Sequence, residues 1–130
     1  MDPEARKIKP LPSRFNSEWS RMTMQQALLV LTNLPDERAG KALAHHLVEQ
    51  QLAACVNCLP RVQSIFRWQG AIEQADEVTL LIKTTQTRYA ELEAAIKAAH
   101  PYQVPEIIAM PIVAGWQPYL DWIEHETKKV

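Results

Sequence analysis

The sequence predicts an α+β domain whose elements run β-α-β-β-α-β, followed by one more helix. Three observations carry that prediction. Two uninterrupted apolar runs, residues 27–32 and 78–84, read as central strands, the first of them buried on both faces. Two segments with apolar residues at helical spacing, 36–51 and 87–99, separate the strands. A long β-branched and aromatic segment, 53–69, ends at Gln69-Gly70 and is followed by a return arm, which makes it one side of a hairpin.

The composition bounds the size and class. The chain has 130 residues, 47% of them hydrophobic, and domains usually run ~100–200 residues. A charged fraction of 22% beside so many apolar residues excludes wholesale disorder. Lys and Arg number 14 against 15 Asp and Glu, so the formal charge of −1 gives no footprint for nucleic acid or an anionic membrane. No run approaches the ~18 apolar residues of a membrane span. Within residues 1–24, Arg6, Lys7, Lys9, Arg14 and Arg21 outnumber Asp2, Glu4 and Glu18, a net of +2, which leaves −3 for the rest. Residues 1–25, with Pro3, Pro10 and Pro12, read as a flexible leader or a basic docking arm; residues 26–130 form the domain. This leader lacks the ~7–15-residue apolar segment of a signal peptide. With two cysteines in the chain, the expected compartment is the cytoplasm.

Each element follows from local chemistry. After the first strand, Pro35, Asp36 and Glu37 are helix-start signals. Ala39, Leu43, Leu47 and Val48 then form the inner stripe of the 36–51 helix. Tyr89, Leu92, Ala95, Ile96 and Ala99 do the same for 87–99, and His100-Pro101 ends that helix, because the residue before proline leaves helical space. Residues 107–113 make the last strand, and Pro118 opens a helix with Tyr119, Leu120 and Ile123 inward. This order is the ferredoxin-like sandwich. Its first and third strands are central, matching the two apolar runs, and Pro111 suits an edge position for the fourth.

The hairpin is too long for one chain. Seventeen residues would extend ~50 Å at ~3.3 Å per residue, so Pro60 must bend or interrupt it. Beyond the bend, Val62, Ile65, Phe66, Trp68 and Ile72 exceed what a single sheet can cover. Pairing with further copies of the chain is the expected outcome.

Candidate chemistry is sparse. Cys55 and Cys58 have C-x-x-C spacing but fall in a strand, where residues three apart point to opposite faces; a local bulge would rejoin them. His45-His46 lies mid-helix, ~100° apart, and reads as a solvated flank. The stretch from His100 to Glu106, stiffened by two prolines, holds an imidazole, a phenol, an amide and a carboxylate within seven residues. It reads either as a rigid connector with a capping histidine or as a small-ligand or metal site. Lys83 either snorkels to solvent or sits at a cleft mouth, holding an anion or pairing with Glu106. Trp68, Trp116 and Trp122 suit core or interface anchors. No phosphate loop, nucleophile elbow or paired-carboxylate signature occurs, and no catalytic role is expected.

Several motifs in order carry a resemblance. Leu52-Ala53-Ala54-Cys55-Val56-Asn57, Ser64-Ile65-Phe66-Arg67-Trp68-Gln69-Gly70, Lys83-Thr84-Thr85, the His100 to Glu106 heptapeptide and Tyr119-Leu120-Asp121-Trp122 are similar to those of the divalent-cation tolerance protein CutA family. The resemblance runs from about residue 28 to 126 and implies a ferredoxin-like homotrimer whose strands continue between subunits. It also implies a place for copper: a cysteine ending the first strand and two histidines before Pro-Tyr-Gln. Those positions are Thr32, Ala99 and His100 here, so His100 alone keeps a ligand atom, and copper or another divalent cation is expected to bind weakly at best. The same architecture looks like PII-type signalling trimers, which implies an effector cleft between subunits lined by Cys55, Trp68, Lys83, Tyr102 and Glu106. A trimeric scaffold without ligand is the third reading.

Overall fold

In the computed structural model, residues 25–128 are described; the expected leader lies outside them apart from its last residue. Strand β1 (Ala27–Leu34) runs into helix α1 (Glu37–Glu49). Asp36 caps the helix, its Oδ1 accepting from the Ala39 N–H at 2.8 Å, and Glu37 adds an acid at the positive end of the helix dipole. α1 buries Gly40, Leu43, Ala44 and Leu47. Val48, expected in that stripe, is 43% exposed, because it lies ~100° past Leu47 around the helix. The helix ends in a Schellman motif: Gln51 turns left-handed (φ 57), its N–H donates to Val48 O, and the Leu52 N–H donates to Leu47 O.

Strands β2 (Cys55–Trp68) and β3 (Ala71–Thr85) form the long ribbon. Gln69 and Gly70 both take positive φ, as a two-residue hairpin requires. The bend expected at Pro60 is present as a bulge. Leu59 pairs with Thr79 and Val62 with Glu77, so Pro60 and Arg61 together face Val78, with Arg61 left-handed at φ 56.

Helix α2 (Gln86–Ala99) follows β3 directly and buries Leu92, Ile96 and, unforeseen from the sequence, Arg88. The Arg88 guanidinium donates to the backbone oxygens of Gln51 (3.3 Å) and Gln50 (3.4 Å) and to Glu91 (3.1 Å). It therefore closes the negative end of α1. Ala99, expected inward, is exposed. Strand β4 (Ile108–Pro111) is shorter than expected; Pro111 has no N–H to extend the ladder, and one further bond, Ile112 N–H to Ala27 O, completes it. Helix α3 (Gln117–Glu126) buries Ile123 fully, whereas Tyr119 is 39% exposed and stacks on Trp122 instead of turning inward.

The sheet order is β2-β3-β1-β4, every pairing antiparallel, with β1 and β3 central and β4 at an edge as expected. Val30, Thr32, Leu34, Leu80 and Ile82 are fully or almost fully buried under α1 and α2, packed with Leu47, Leu92 and Ile96. The expectation that β1 is buried on both faces fails. Leu29, Leu31 and Leu81 are half-buried and Leu59, Ile108 and Met110 exposed, because α3 shelters the second face only near Ala27 and Thr85. Among the described residues no helix is long and apolar enough to cross a membrane.

Candidate functional site

A cleft opens between the far half of the ribbon and the loop after α2. It measures about 600 Å3 and is lined by Asn33, Phe66, Trp68, Glu77, Tyr102 and Glu106, among others. The bulge furnishes it. Cys58 pairs with Leu80 on the helix-covered face, but past the extra residue Phe66 pairs with Glu73 and Trp68 with Ala71, on the opposite face. Glu77 shares that face, pairing with Val62, and is only 7% exposed.

Asn33 organises the loop side. Its Oδ1 accepts from the Thr79 hydroxyl at 2.6 Å, its Nδ2 makes a long 3.5 Å contact with Glu106, and its backbone oxygen lies 2.6 Å from His100 Nε2. Since a carbonyl can only accept, His100 carries its proton on Nε2. Nδ1 then accepts from the Tyr102 N–H at 3.2 Å. Both ring nitrogens are thus spent on holding the loop, and the His100 ring packs 4.9 Å from that of Tyr102.

The soft-metal constellation implied by the resemblance does not fit these residues. His100 has no free lone pair, Ala99 has no ligand atom, and Thr32 is sealed in the core. Among the described residues no three His, Cys, Asp or Glu side chains gather as a metal site. Thr32 Oγ1 meets no hydrogen-bond partner among them. Thr32→Val is therefore expected to raise stability by about 1 kcal/mol in denaturant unfolding; a loss would mean the hydroxyl is bonded after all.

Of the five residues expected to line one cleft, the chain brings Trp68, Tyr102 and Glu106 together. Cys55 and Lys83 are cross-strand partners at the other end of the sheet, six residues along β3 from Glu77, or ~20 Å at the rise of a strand. Lys83 Nζ donates to Asn57 Oδ1, a local bond in place of the alternative in which it pairs with Glu106. Cys55 contacts the Tyr119 hydroxyl, while Cys58 packs against the core, the two thiols on opposite faces. His45 and His46 are exposed on α1. Asn33 and Glu77 escaped the sequence reading. Counting the hairpin register from Gly70 pairs Trp68 with Ala71 and sets Glu77, six residues on with no bulge between, on the Trp68 face.

Tyr102 is pushed up to about 12, first by burial and then by its hydrogen bond to the Glu77 carboxylate. Burial also raises Tyr89, beside Glu93, and Tyr119, beside Cys55. A raised phenol means the native state holds its proton where the unfolded chain has lost it. The Tyr102 contribution to stability is thus complete below pH ~10 and is lost as pH rises towards 12. Absorbance titration of the native protein is expected to lag the unfolded one across that window, and Tyr102→Phe to remove the latest step. Coincident curves would refute this.

A helix-backed antiparallel sheet in this strand order, with one face largely open and a polar-aromatic cleft at its margin, defines a ferredoxin-like protein. Residues 28–126 match the family described as CutA1 divalent ion tolerance protein. The chain belongs to this divalent-cation tolerance family. It is 46% identical over 99 residues to the divalent-cation tolerance protein CutA of Thermus thermophilus, covering 76% of this chain and 96% of that one. It is 38% identical over 120 residues to the protein CutA, chloroplastic, of Arabidopsis thaliana, covering 92% of this chain and 65% of that one. The crystal structure of CutA1 from Oryza sativa superposes with a TM-score of 0.78 at 37% identity, over 81% of this chain and 96% of that chain.

Proposed function

We propose that the chain acts in divalent-cation tolerance as a cytoplasmic homotrimer without catalytic activity. The observation that carries this reading is the unsheltered sheet face. Leu59, Ile108 and Met110 are exposed there, and the ribbon tip bares Ile65 and Ile72 on its other face, at 71% exposure each. Apolar surface of that extent is stabilised by covering it with further copies. Light scattering at micromolar concentration is expected to give three times 14.8 kDa; a stable monomer overturns the reading. Copper and other divalent cations are held weakly, as the spent lone pairs of His100 support. Tight stoichiometric uptake of Cu(I) or Cu(II) by the reduced protein would overturn that.

The aromatic-acidic cleft favours the effector-binding reading over a bare scaffold. Its volume falls within the ~300–1,000 Å3 of small-ligand sites. A metabolite and metal screen by thermal shift tests this. A rise in melting temperature that Glu106→Ala abolishes supports an effector; no response across a broad panel supports the scaffold.

A further inference from the structure

We propose that the cleft between the ribbon and the His100 loop binds a small organic cation, a primary ammonium attached to an apolar group. This deepens the effector reading and rests on it. Glu77 is more than nine-tenths buried, yet its partner is the neutral phenol of Tyr102. Among the described residues neither Glu77 nor Glu106 forms a salt bridge, and Glu106 has an amide, that of Asn33, as its partner. A carboxylate so deeply buried ordinarily has a counter-charge. Arg67 also lines the cleft, so its three charged side chains sum to −1, which one ammonium neutralises. Phe66, Trp68 and Tyr102 present partly exposed rings around these acids, at 43%, 38% and 37% exposure. Aromatic faces beside carboxylates are the surroundings in which an ammonium is held by both cation–π attraction and ion pairing.

The same furnishings exclude the alternatives. A hard metal ion wants roughly six or more oxygens around it, and here aromatic walls take that place. An anionic ligand would meet a net negative cleft. The organic cation fits the charge and the walls together.

The test uses the full-length protein at fixed ionic strength, with three probes of one shape: benzylammonium, benzyl alcohol and benzoate, titrated by calorimetry. The expected result is saturable binding of benzylammonium, at least tenfold tighter than benzyl alcohol, with no binding of benzoate. Glu77→Gln and the exposed Glu106→Gln are each expected to weaken benzylammonium at least tenfold, with circular dichroism unchanged for Glu106→Gln. Equal binding of the alcohol, or unchanged affinity in both variants, overturns the cation assignment while leaving an effector cleft in place. Silence from all three probes overturns the cation assignment, and the broad thermal-shift panel then decides the effector reading separately.

Discussion

Leu81→Glu is expected to convert a species of three times 14.8 kDa into one of 14.8 kDa. Leu81 pairs with Leu31 on one side and Asn57 on the other, at the centre of the open sheet face, away from the shelter of α3. Within one chain it is half-buried, so a carboxylate there reaches water and the fold tolerates it. In the proposed trimer the same carboxylate would be sealed from solvent without a partner, a cost of several kcal/mol at each copy. Sedimentation or light scattering at micromolar concentration reads the outcome. An unchanged mass would remove the sheet face from the interface.

One residue along the same strand, Ile82→Ala should behave in the opposite way. Ile82 is 0% exposed, pairs with Val30 and Val56, and belongs to the cluster with Leu47, Leu92 and Ile96. Truncating it leaves a cavity between sheet and helices, which typically costs about 2–5 kcal/mol. Denaturant unfolding should show that loss while the native mass stays that of the unaltered protein. Adjacent residues thus separate assembly from folding, because a strand turns successive side chains to opposite faces. A small loss at Ile82, with the mass halved or cut to a third, would reverse the assignment of the two faces.

The fold was legible because its signals are local or periodic. Asp36 with Glu37, the Leu43 and Leu47 stripe, Gln69-Gly70 and His100-Pro101 each act within a few residues, and each element they predict is present. Pro111 marked the edge strand for the same reason. The misplaced residues depend on partners distant in sequence. Arg88, which carries no local signal of burial, is held by Gln50 and Gln51 at the end of another helix, which accept its bonds. Tyr119 reads as inward until α3 is seen to cover only one end of the sheet. In the site, Trp68, Tyr102 and Glu106 could be gathered from motifs, but Glu77 could not. Even-numbered residues read straight along β2 share a face, so Cys58 and Trp68 should agree, and the extra residue at Pro60-Arg61 puts them on opposite sides. His100 looked like a ligand because its type permits it. Its two backbone partners, one 67 residues away in sequence, assign it to the loop.

That bulge has a consequence for how such a cleft can change. Loss of Arg61 would restore an unbroken ladder in which Leu59 still faces Thr79 and Val62 still faces Glu77. Every cross-strand neighbour would survive, and the angle at which the ribbon leaves the sheet would differ. The gap between Trp68 and Tyr102 is therefore governed from a joint at Pro60-Arg61, where neither residue lines it. Shape and chemistry are inherited on separate stretches of chain, so the width of the cleft can drift without exchanging any residue that touches a ligand.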